Sequence, residues 1–161
     1  MLILIQEPWT NGSRILGLNS KGSLLFCSCK ENNPRTCIIT KGLSAYCLPQ
    51  HSSRDQTAVR VTYKNRYHER SIMVASVYMP IDQSPPSKEL ENLIQYCYAK
   101  GLPLIIGADT NAHHFCWGTG SKECNHRGYI LSEYLASTDL SVINQGYEPT
   151  FCVGINNQSL M

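Results

Sequence analysis

A chain of 161 residues is about one domain long, and a domain of that size buries roughly 68–70% of its extended-chain surface, enough for a core of its own. Its 42% hydrophobic and 16% charged residues exclude a disordered chain, and its apolar runs fall far short of the ~20 residues of a membrane-spanning helix. A net charge of +2 does not by itself indicate nucleic acid, and eight scattered cysteines without a secretory leader predict reduced thiols in an intracellular compartment, nuclear or cytoplasmic, rather than secretion.

In chain order, β-like stretches recur at Leu2–Gln6, Arg14–Leu18, Leu24–Cys27, Thr36–Thr40, Ala58–Tyr63, Ile72–Tyr78 and Leu104–Ile106, most of them separated by Gly, Asn, Pro or Ser clusters. The two stretches flanking the polar Lys64–Arg70 predict an antiparallel hairpin. After Pro85-Pro86, Ser87 is a candidate cap for a helix with Leu90, Leu93, Ile94, Cys97 and Tyr98 on one face, and Lys100-Gly101 supplies its stop. A second helix is expected over Arg127–Thr138, with Ile130, Leu131, Tyr134 and Leu135 inward, followed by short strands at Leu140–Asn144 and Pro149–Phe151. Strands with interspersed helices predict a four-layered α/β sandwich, two mixed β-sheets flanked by helices, in a single domain over residues 1–161.

Two buried strands each release an acid at their tips. Leu2-Ile3-Leu4-Ile5 leads into Gln6-Glu7-Pro8-Trp9, and Leu104-Ile105-Ile106 leads into Gly107-Ala108-Asp109-Thr110-Asn111-Ala112-His113-His114. Phosphodiester hydrolysis needs charge neutralisation on the phosphoryl oxygens, an aligned water and a stabilised leaving oxygen. Mg²⁺ serves several of these needs and takes only one or two protein carboxylates, so Glu7 and Asp109 are the candidates. His113, His114, Cys116, Cys124 and His126 carry zinc-type donors, but without a Cys-x-x-Cys pair or a closed-site spacing.

The blocks Gln6-Glu7-Pro8-Trp9, Val77-Tyr78-Met79-Pro80, Gly107–His114 with Trp117-Gly118, Asn125-His126-Arg127-Gly128, Asn144-Gln145-Gly146 and Pro149-Thr150-Phe151 stand in one order along nearly the whole chain. This pattern resembles the endonuclease/exonuclease/phosphatase superfamily, and more closely the apurinic-type endonuclease domain of non-LTR retrotransposons. The resemblance implies a Mg²⁺-dependent (or Mn²⁺-dependent) DNA endonuclease that nicks target DNA, so that a reverse transcriptase domain in the same polyprotein can prime on the exposed 3′ hydroxyl. At matching positions it implies Glu7 as metal ligand, Tyr78 as the active-site tyrosine, Asp109 as the residue that positions or activates water, and Asn111 as the phosphate contact. His113, His114 and Thr150 match the family in type and are carried over as substrate-binding candidates.

The chain also departs from that pattern. Only five residues precede Gln6, so the family's metal-side asparagine has no counterpart, and the terminal Ser-Asp-His element is replaced by Ser159-Leu160-Met161. Losing one positioned acid or base costs about 10²–10⁴-fold in rate. The expectation is therefore a sandwich incomplete at its N- and C-terminal strands and an impaired endonuclease fragment. The alternatives are a related phosphoesterase of the same superfamily and a non-catalytic DNA-binding or remnant fold.

Overall fold

The computed structural model describes residues 1–18, 20–28, 32–64, 68–117 and 124–144. It divides into two compact units, Met1–Asn111 and Ala112–Met161. No helix among the described residues is long and apolar enough to cross a membrane.

The first unit is an α/β sandwich. Its smaller sheet has the order β1 (Leu2–Gln6), β5 (Thr36–Lys41), β4 (Ser23–Phe26), all antiparallel. Its larger sheet is mixed: β6 (Ser44–Cys47), β7 (Gln56–Lys64) and β8 (Glu69–Tyr78) run antiparallel, and β9 (Leu104–Asp109) joins β8 in parallel. A two-residue hairpin, β2 (Thr10–Asn11) with β3 (Arg14–Ile15), follows β1.

The sheets meet on faces that the strand period of two makes apolar. Ile38, Val59, Val61 and Val74 are buried between them, with Leu2, Leu4, Phe26, Leu43, Ala45 and Ile72 packed around. At position 107 a β-carbon would come within 2.9 Å of Leu4 Cδ2, so glycine there lets β1 lie close over β9. Toward the C-terminal end of β1 the filling becomes polar. Thr36 Oγ1 and Thr57 Oγ1 lie 2.9 Å apart, and Ser76 Oγ donates to the Ile5 carbonyl at 2.8 Å. Buried hydroxyls persist there because each has a partner.

Helix α1 (Lys88–Lys100) follows the expected chemistry at both ends. Ser87 accepts from the Leu90 amide, and Gly101 closes the helix in the left-handed conformation. Its Leu90, Leu93 and Cys97 are buried. Gln56 Nε2 donates to the Glu89 carbonyl at 3.2 Å, tying α1 to β7.

The second unit contains a short 3-10 turn at Phe115–Trp117 and helix α2 (His126–Ala136). Asn125 caps α2: its Oδ1 accepts from Gly128 N at 2.7 Å and from His113 N at 3.1 Å. The Asn-His-Arg-Gly block is thus a clamp between the His113 backbone and the helix start.

Several boundaries differ from the sequence expectation. Arg14–Leu18 pairs only over Arg14–Ile15. β6 was not anticipated, because Ser44-Ala45-Tyr46-Cys47 has no β-branched residue and becomes a strand by pairing with β7. The β7–β8 hairpin is longer than expected, with Lys64 opposite Glu69. Leu140–Asn144 is irregular and mostly exposed, with no ladder partner among the described residues. Pro149–Phe151 lies outside the described residues.

Candidate active site

The polar end of the sandwich collects four of the sequence-predicted residues. Tyr78 and Asp109 are the last residues of β8 and β9 and face each other in register. Met79 N donates to the Asp109 carbonyl at 2.8 Å, so the two strands stay joined as they leave the sheet. Asn111 turns back onto both: its amide donates to Asp109 Oδ1 at 3.2 Å, and its Nδ2 donates to the Met79 carbonyl at 3.2 Å. This is an Asx-type turn built on the end of a strand.

Glu7 reaches the same end by another route. Gln6 Nε2 donates to Ser76 Oγ and to the Gly107 carbonyl, each at 3.0 Å, and so fixes the end of β1 against β8 and β9. Glu7 N then donates to the Arg35 carbonyl at 2.8 Å. The Glu7 side chain is exposed, and its carboxylate makes no hydrogen bond among the described residues.

Backbone conformation marks these positions too. Among the described residues, three non-glycines have positive φ, namely Glu7 at 51°, Asn33 at 53° and Asn111 at 48°. A side chain in that region is disfavoured sterically, least so for asparagine. Such strain persists where the surroundings hold it, and it concentrates at sites.

Two residues that the sequence reading did not single out organise this end. Arg35 grips Asp55 through two parallel bonds of 2.5 and 2.6 Å, and its guanidinium lies 4.5 Å from the centre of the Tyr78 ring. The hydrogen bond to Asp55, followed by its charge, raises the Arg35 pKa above its ordinary value against the opposing effect of burial. The Asp55 carbonyl accepts from Tyr78 N at 2.8 Å. Both residues immediately precede buried strand positions, Thr36 and Gln56. A charged residue at such an entry point was the available signal.

His113 and His114 belong to the second unit. His113 is exposed. His114 is buried with its ring 4.2 Å from Phe115, 5.0 Å from Trp117 and 5.5 Å from Tyr129, and its Nδ1 accepts from the Cys116 amide at 3.3 Å. Thr150 lies outside the described residues.

Among the described residues no three His, Cys, Asp or Glu side chains gather as a metal cage. The oxygen donors of Glu7 and Asp109 suit a hard cation such as Mg²⁺, which keeps most of its waters and needs one or two carboxylates. Thiolate or imidazole donors, which would suit zinc, have no part in the set.

A family model described as endonuclease-reverse transcriptase matches residues 72–160, more than half of the chain. The chain belongs to this family. Among solved structures, this chain is similar to the endonuclease domain of TRAS1, a telomere-specific non-LTR retrotransposon, with a TM-score of 0.69 and 26% identity. That match covers 93% of this chain and 64% of the other, so the chain spans less than two thirds of its structural neighbour. No curated protein matches it. Within the family match lie Tyr78, Asp109 and Asn111, whereas Glu7, Arg35 and Asp55 precede it.

Proposed function

We propose that this chain is the catalytic part of a divalent-cation-dependent DNA endonuclease from a retrotransposon polyprotein, cutting one strand to leave a 3′ hydroxyl for an adjoining reverse transcriptase. The observation that carries this reading is the convergence of Tyr78, Asp109 and Asn111 at paired strand ends, with Glu7 held to the same end through Gln6 and Arg35.

Glu7 would hold Mg²⁺ or Mn²⁺, with Asp109 at the end of the strand that Gln6 ties to β1. A bound cation of this type neutralises charge on the phosphoryl and leaving oxygens. Asp109 orients the attacking water through the carboxylate oxygen that Asn111 leaves open, and takes up its proton as the water oxygen bonds to phosphorus; the bond from phosphorus to the 3′ oxygen breaks, and that oxygen leaves as a hydroxyl with a proton from solvent water. Asn111 Nδ2 has a second hydrogen beyond the one given to Met79, and it donates that one to a phosphoryl oxygen. The Tyr78 hydroxyl supplies another hydrogen bond to the developing charge, with its ring held by Arg35.

Supercoiled plasmid incubated with the chain and Mg²⁺ tests the reading. Slow conversion to open circle, as an impaired fragment would give, lost in EDTA and in Asp109→Ala, is the expected result. Intact plasmid under all conditions, together with no calorimetric Mg²⁺ or Mn²⁺ binding that Glu7→Gln abolishes, would overturn it.

A further inference from the structure

The overall charge of +2 conceals an uneven distribution. Positions 8–54 contain six Lys and Arg residues but one acid, Glu31. Within that stretch the β2–β3 hairpin carries Trp9 with 75% of its surface exposed, and the hairpin is closed by Leu16 N donating to the Trp9 carbonyl at 2.8 Å. Gly12, at φ 57°, makes its tight turn. Arg14 is exposed on the return strand, and its guanidinium makes no hydrogen bond among the described residues.

A chain of contacts ties this hairpin to the candidate active site. Asn33 N donates to the Gly12 carbonyl at 2.8 Å, and the Asn33 carbonyl accepts from Arg54 Nε at 3.2 Å. The Arg54 carbonyl accepts from Arg35 N at 2.7 Å, and the Arg35 carbonyl accepts from Glu7 N. Asn33, at the centre, has positive φ like Glu7 and Asn111 and is not one of the proposed catalytic residues. An isolated exposed indole is ordinary on a protein surface. One held on a closed hairpin, with Arg14 on its return strand and Arg54 bonded to the Asn33 that braces the turn, suits a stacking and phosphate-binding partner.

We propose that Trp9, Arg14 and Arg54 form a DNA-contact ledge beside the candidate active site, with Trp9 packed against a nucleotide's sugar or base and the two arginines on phosphates flanking the cut. This rests on the endonuclease reading and adds to it the surface that sets the register of the duplex. Arg54 uses Nε to brace the ledge, which leaves the outer edge of its guanidinium for phosphate.

The test uses the full chain with Ca²⁺ in place of Mg²⁺ and a short duplex oligonucleotide. The chain has two tryptophans, so Trp117→Phe leaves Trp9 as the single indole; the difference spectrum between the parent and Trp9→Phe reads the same residue without altering Trp117. Duplex binding should quench Trp9 emission, and Trp9→Ala should weaken binding by about tenfold. Arg14→Gln with Arg54→Gln should lower the slope of log affinity against log salt by about 2, while Lys100→Gln leaves it unchanged. Duplex binding with unchanged Trp9 emission and an unchanged slope overturns the ledge but leaves the endonuclease reading standing. No binding to duplex at any salt concentration overturns both.

Discussion

Gln6 Nε2 lies 3.0 Å from the Gly107 carbonyl across 101 residues of sequence, and this bond ties the strand that ends before Glu7 to the strand that ends at Asp109. The same nitrogen reaches Ser76, so one side chain connects three strands. Gln6→Ala should cost about 1–3 kcal/mol by leaving part-buried partners unpaired. As Gln6 is a positioning residue, kcat for plasmid nicking should fall by about 10²-fold with KM little changed. Recovery of that loss by added Mg²⁺ would instead indicate lost cation affinity.

Glu7 joins a proposed cation-binding role to a left-handed backbone. Glu7→Gly removes a left-handed penalty of about 1–2 kcal/mol, offset by about 0.5–1 kcal/mol of glycine entropy. The variant should melt at or slightly above the parent and fail to nick. Glu7→Gln retains the strained backbone and should melt with the parent, also without nicking. Thermal melts of the three proteins side by side check the ordering.

Arg35 and Asp55 act as a pair whose side chains are only 24% and 23% exposed. Their two parallel bonds predict a coupling energy of about 1.5–3 kcal/mol in a double-mutant cycle with Arg35→Ala and Asp55→Ala. Arg35→Lys should recover little of it, because an ammonium supplies neither the fork nor the flat cation over Tyr78. Urea midpoints of the four proteins measure the coupling.

Gly128 opposes two principles of known size. Alanine in a helix gains about 1 kcal/mol over glycine, yet a β-carbon at 128 would lie 2.0 Å from the His113 carbonyl oxygen. The contact is with backbone, which has little room to yield, so Gly128→Ala should destabilise the second unit by about 1–3 kcal/mol or more. Faster amide hydrogen exchange over α2 and residues 113–117, with β7 and β8 unchanged, is the expected signature.

Cys37 and Cys97 are buried, and burial pushes each thiol from an ordinary 9.0 up to about 11. A raised folded-state value favours the protonated form, so its contribution to stability is complete below pH 9 and lost as pH rises through about 11. At pH 8 both should resist alkylation until the chain unfolds, whereas the exposed Cys116 reacts in the native state. Mass spectrometry after iodoacetamide, with and without urea, tests the order.

Local order was legible where it depends on neighbours in the chain. Apolar stretches bounded by turn residues placed β1, β5, β7 and β8, and the Ser87 cap with the Gly101 stop bounded α1 almost to the residue. The ordered blocks also identified the family, because residue type at fixed intervals is itself the signal. β6 and the Arg35–Asp55 pair were not legible in the same way: a strand without β-branched residues forms only when β7 is beside it, and a charged residue before a strand has no named partner until the sheets stack. The left-handed turns at Glu7 and Asn111 are likewise imposed by bonds to Arg35, Asp109 and Met79. The sequence by itself therefore determined most of the elements and the family. Only the tertiary structure decided how Glu7 is anchored and which residues brace Tyr78 and Asp109, since those contacts join positions distant in the chain and exist only once two sheets bury their common face.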